Sequence, residues 1–123
     1  MSAPILHLES RIPSLLSLVV KPVAVTLGRH IFVRRGIVPT EQLLRHEATH
    51  VAQAAELGLL RFLLFYAWDW LRAWWVLRDG AAAYRAIRFE QEARDSEDFD
   101  MPWQEIGEYY PGAWRTYSLP PKP

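Results

Sequence analysis

The chain of 123 residues contains no cysteine. Disulfides, thiolate-held zinc and cysteine nucleophiles are thereby excluded, so any metal must be held by histidine and carboxylate. Neither sign of charge prevails: 14 basic residues stand against 14 acidic ones. The electrostatic footprint of a nucleic-acid binder is missing, and no nucleic-acid partner is expected. The N-terminus has no basic stretch ahead of an apolar run, and Glu9 and Arg11 interrupt it, so no signal peptide is expected. Residues 57–77 have the length of a membrane span, but Arg61, Asp69 and Arg72 break the run. Charges at that depth are costly, so a transmembrane helix is not expected either. A cytoplasmic location is the default that these absences leave. Repeats and low-complexity tracts are also missing.

What is present suits one domain over residues 1–123, with a core at 23–100 and a tail at 101–123 rich in aromatics and proline. Residues 23–33 (VAVTLGRHIFV) alternate in part, which predicts a strand with Val23, Val25, Leu27, Ile31 and Val33 on one face. Gly28 marks a bulge or hairpin bend within it. Thr40 is a plausible N-cap for a helix running to about Leu57, with Gly58 as its C-cap. A second helix is expected over about 60–78, stopping at Gly80, and a third from about Ala81 to Asp98, before Pro102. The fold class is therefore α+β, mostly α, with a short N-terminal sheet or hairpin and about three helices.

On the second helix Arg61, Asp69, Arg72 and Asp79 share one narrow stripe, which reads as the wet edge of a core helix. Its many aromatics leave contact with a membrane surface or a partner as the alternative. Residues 90–110 hold eight acids against Arg94 alone and read as a solvated helix end and loop, with an acidic docking surface as the alternative.

The pattern with most chemistry in it is His46-Glu47-Ala48-Thr49-His50. Histidines four apart on a helix project from one face, one turn apart, and two such nitrogens can reach a single zinc ion. Glu47 lies about 100° around the wheel, suited to take a proton from the zinc-bound water as general base. Shuffling a chain of this composition produces the pattern about once in a hundred times. A catalytic zinc wants three protein ligands. The longer histidine pattern would need Gly and His where this chain has Gln53 and Glu56, so that route is closed. His7 and His30 precede the motif on weakly defined elements. In FEQEARD, Glu90 falls on the apolar arc of Ala82, Ala83, Ala86, Ile87, Phe89 and Ala93, while Glu92 points to the opposite, solvent side. A carboxylate on an apolar arc needs a compensating charge, which makes Glu90 the expected third ligand, with Glu92 the alternative. Asp95 is a candidate acceptor for a ligand histidine. Tyr66, Tyr84, Tyr109 and Tyr110 are candidate oxyanion donors.

With HEATHVAQ, then LGLLRFLLFYAW, then FEQEAR, residues 23–95 resemble the gluzincin branch of the zincins, in particular very small bacterial, minigluzincin-like members. The resemblance implies a minimal zincin-like domain acting as a zinc metallopeptidase. His46, His50 and Glu90 would be the zinc ligands, Glu47 the catalytic acid/base, and a peptide or protein the substrate, lying along the edge strand. That pattern often carries an acid four residues after the ligand glutamate, where this chain has Arg94. A non-catalytic, zinc-stabilised module that binds a membrane surface or protein partner through the aromatic helix and tail is the alternative function. A tail that folds across the cleft and caps the metal is a third.

Overall fold

The computed structural model describes residues 4–10, 24–110 and 112–118. Three strands, β1 (Ile5–Ser10), β2 (Ala24–Leu27) and β3 (His30–Arg34), form a sheet of order β1-β3-β2. β1 runs parallel to β3, and β2 runs antiparallel to it. The expected strand at 23–33 is thus a hairpin, and Val23 lies outside the described residues. Gly28, with φ of 59°, takes the first of its two turn positions. Such tight turns need a positive φ there, which glycine adopts without strain.

The hairpin changes which residues share a face. Cross-strand partners lie on the same side of a sheet, and Thr26 pairs with Ile31 while Val25 pairs with Phe32. Val25 and Leu27 are therefore opposite Ile31 and Val33, not beside them as strict alternation predicts. Ile31 and Val33 are buried against Val51, with Leu6, Ala24, Ile37 and Trp103 around them. Thr26, on the same side, is carried toward the helices.

Helix α1 (Glu41–Leu57) starts where expected, with the Thr40 hydroxyl accepting from Leu43 N–H at 3.1 Å. It ends at Gly58, whose φ of 85° and ψ of 146° belong to glycine alone. Its middle is buried on almost every side, from Glu47 through Ala54, whereas Ala55 is exposed. The helix is therefore central to the fold, with the sheet on one flank and helices on the other. On the helical flank Ala54 joins Phe62, Ile87, Phe89 and Trp114 in a second apolar cluster.

Helix α2 (Leu59–Leu77) reverses the expected polarity. Its buried residues are Phe62, Asp69 and Ala73, while leucines and tryptophans point outward. Of the expected wet edge only Asp69 is buried, while Arg61 and Asp79 are exposed and Arg72 is half-buried, and Asp69 faces inward because it has work there. It receives Arg88 Nε and Nη2, each at 2.8 Å, and the Arg88 backbone N–H at 3.1 Å. No single helix among the described residues is long and apolar enough to cross a membrane.

The expected third helix is two: α3 (Gly80–Ala86), capped by Asp79, and α4 (Arg88–Ser96). The chain leaves helical geometry at Ile87 (φ −59°, ψ 128°), and the freed Arg88 N–H is the one that Asp69 accepts. The tail follows with a 3-10 turn (Trp103–Glu105), a short α5 (Ile106–Tyr109) and a second 3-10 turn (Ala113–Thr116). Trp114 buries its ring against Phe89, at 4.7 Å between centroids.

Asp69→Ala leaves Arg88 without its partner and should cost about 3 kcal/mol in urea unfolding, with Asp69→Asn losing less. Trp114→Ala should cost about 3–5 kcal/mol in the same measurement, since the ring closes the helical cluster.

Candidate metal centre

Helix α1 presents His46, Glu47 and His50 toward α4, and α4 answers with Glu90. One ligating atom from each of His46, His50 and Glu90 lies within 4.8 Å of the others. His46 Nε2 stands 2.8 Å from Glu90 Oε1, and His50 Nε2 stands 3.0 Å from Glu90 Oε2. The second contact lacks hydrogen-bond alignment, so buried His50 Nε2 has no hydrogen-bond partner. Glu92 is not the solvent residue expected from wheel phase. It is 3% exposed, and it supports the site from behind.

Both imidazoles are fixed through their outer nitrogens. His46 Nδ1–H donates to Glu97 Oε2 at 2.8 Å, and His50 Nδ1–H donates to Gln53 Oε1 at 2.8 Å. Gln53 is fully buried, and its amide donates to Glu92 Oε1 at 2.9 Å and to the Phe89 carbonyl at 3.1 Å. Glu92 in turn accepts from the Ala113 backbone N–H at 2.5 Å, which ties the tail to His50. Such outer hydrogen bonds fix the tautomer and the ring angle of a ligand histidine. Asp95 has no part in this: it accepts from the Tyr117 hydroxyl. Arg94 reaches the Arg85 carbonyl instead of the site.

The acidic stretch is therefore not simply a solvated face, because Glu90, Glu92 and Glu97 all serve the histidines. Glu97 had a sequence signal, since it lies seven residues after Glu90 and so on the same face of a helix two turns on. Gln53, three residues after His50, had one too. Thr26 had none, because its side of the sheet depends on the hairpin. Its hydroxyl donates to Glu47 Oε2 at 2.6 Å.

The site's electrostatics follow from this packing. Burial opposes charge on His50, but the carboxylates of Glu90 and Glu47 outweigh it and raise its pKa to about 9. Burial likewise opposes charge on Glu90, yet His50 and His46 hold its carboxyl well below the usual range. Tyr66 donates to Glu90 Oε2 at 2.7 Å, and burial, then that carboxylate, push its phenol up. Tyr84, more exposed, is pushed up by the same two causes. Both remain neutral donors. Tyr109 and Tyr110 line neither hollow of this site, and His7 and His30 pair with each other at 3.1 Å on the far side of the sheet.

Two hollows meet at Glu47. One, of about 230 Å³, has walls of Val25, Leu27, Phe62 and Leu63 beside Thr26, His50, Tyr66 and Glu90. The other, of about 300 Å³, is lined by Thr40, Gln42, Leu43, His46 and Glu97. Ala24, Glu47 and Tyr84 border both. No described tail residue lines either, so the described part of the tail, through Ala113, supports the site from behind.

Residues 17–58 match the family model of the eCIS core domain, a small domain of extracellular contractile injection systems. The matched stretch is about a third of the chain; it includes β2, β3 and α1 with the HEATH motif and stops before Glu90. It is not a metallopeptidase family that matches. No curated protein matches the chain, and no solved structure does.

The metal-free protein should lose stability as pH rises. His50 is raised from an ordinary 6.5 to about 9, so its contribution is complete below pH 6.5 and is lost as pH climbs through about 9. The contribution of Glu90, whose pKa is lowered, is lost in acid instead. Thermal unfolding in chelator should give a lower midpoint at high pH than near neutrality, and His50→Gln should flatten that slope.

Proposed function

We propose that this protein is a zinc-dependent metallopeptidase of gluzincin type, with His46, His50 and Glu90 as zinc ligands and Glu47 as general base. The observation that carries this is the orientation of the two imidazoles. Each has its Nδ1 committed to an acceptor behind it and its Nε2 aimed at the same carboxylate. The residues fit the ion in donor type as well as aim. Tetrahedral zinc sets its ligand atoms about 3.3 Å apart, and one ligating atom from each of the three residues already lies within 4.8 Å of the others. The orphaned His50 Nε2 then gains a partner.

A bound zinc ion supplies Lewis acidity, which acidifies a water molecule and polarises the scissile carbonyl. Glu47 takes a proton from the attacking water as its oxygen bonds to the carbonyl carbon. It returns that proton to the amine nitrogen as the C–N bond breaks. Thr26 holds one Glu47 oxygen and leaves the other for the proton. Tyr66 and Tyr84 both border the cleft beside Glu90, and Tyr84, the more exposed of the two phenols, is the one we assign to donate to the developing oxyanion.

An extended chain suits the site because hollows lie on both sides of Glu47. Strand β2 borders them and pairs with β3 on one side only among the described strands, so its other edge can receive a peptide by strand addition. The match of residues 17–58 makes components of a contractile injection system the first substrates to try.

The protein should bind one zinc per chain. Glu47→Gln should retain it while peptide turnover falls by about 10²–10⁴-fold, and His50→Ala should lose the metal. Protein that stays zinc-free at neutral pH after exposure to excess metal would sink the proposal.

A further inference from the structure

The outward face of α2 has no partner among the described elements. Leu60, Leu64, Trp68, Leu71 and Trp75 follow one another at helical spacing and are 71, 58, 60, 54 and 63% exposed. Scattered exposed leucines are ordinary, but a continuous stripe with two tryptophans marks an interaction surface.

We propose that this face docks onto a lipid bilayer surface that carries anionic headgroups. Charge selects that occupant. The only acid of α2, Asp69, is turned inward and neutralised by Arg88. Arg61 and Arg72 run along one border of the stripe, and among the described residues no carboxylate pairs with either. Arg78 closes the end of the helix with its guanidinium over Trp74 and Trp75, at 4.8 and 4.4 Å. An apolar stripe with tryptophans and a border of arginines is the pattern of a helix lying in the plane of a bilayer interface. A second copy would bring the same unpaired arginines and no α2 carboxylate to meet them. Leu63 borders the stripe and also lines the apolar hollow, so docking would bring the mouth of the cleft close to the headgroups.

The full chain should sediment with vesicles of phosphatidylcholine mixed with phosphatidylglycerol far more than with phosphatidylcholine alone, and salt should release it. Brominated acyl chains should quench its tryptophan emission. Replacing both Leu64 and Trp75 by serine should weaken partition at least about tenfold without lowering the thermal midpoint. Arg61→Gln with Arg72→Gln should weaken it by about ten- to thirty-fold, and Glu47→Gln should bind like the parent. The proposal fails if neither vesicle retains the protein. It fails equally if the protein forms a dimer that the Leu64 and Trp75 substitutions abolish and binds no vesicle. Neither outcome touches the zinc reading.

Discussion

Glu90 sits 2% exposed between two imidazoles, and the arrangement around it follows from that burial. A lone carboxylate taken out of water is expensive, and an imperfectly paired ionic cluster can cost more than its mutual attraction returns. Here the charge is met by His46, by His50 and by the Tyr66 hydroxyl. Each of those groups needs its own support, and the need spreads outward through Gln53, Glu92 and Glu97 to the tail backbone. Such a buried network specifies a unique arrangement only when its members are satisfied. The one orphan within it, His50 Nε2, is the atom that a metal would engage.

This demand accounts for the unusual burial of α1. An ordinary surface helix hides one stripe, but the centre of α1 is enclosed on nearly all sides, polar residues included. The sheet covers it on one flank and brings Thr26 to Glu47. Helix α4 covers it on the other and brings Glu90, Glu92 and Glu97 to the histidines. The break at Ile87 lets α4 take its own direction, and Asp69 captures the backbone N–H that the break leaves free. The histidine–glutamate cluster, helix break and buried ion pair are therefore parts of one packing solution.

The same solution has a consequence on the outside. With Phe62, Asp69 and Ala73 facing inward, α2 must turn its leucines and tryptophans to the surroundings. A helix with that much apolar surface would prefer the core, and here the core side is already occupied by the Asp69–Arg88 pair. The outward stripe is thus the other face of an internal electrostatic requirement.

The sequence by itself determined the local matters. HEATH at four-residue spacing on a capped helix put two imidazoles on one face, because helical periodicity is a property of the backbone. The absence of cysteine limited any metal site to histidine and carboxylate, and the apolar arc around Glu90 correctly placed that side chain inward. Tertiary structure decided whatever depended on a partner. A two-residue turn, not alternation, determined that Thr26 faces Glu47. A helix break and the requirement of Gln53 for an acceptor drew Glu92 inside, against its wheel position. The polarity of α2 was reversed by one arginine nineteen residues after Asp69, an interaction that periodicity within the helix could not reveal. A buried charge follows its counter-charge, and only the folded chain establishes where that counter-charge lies.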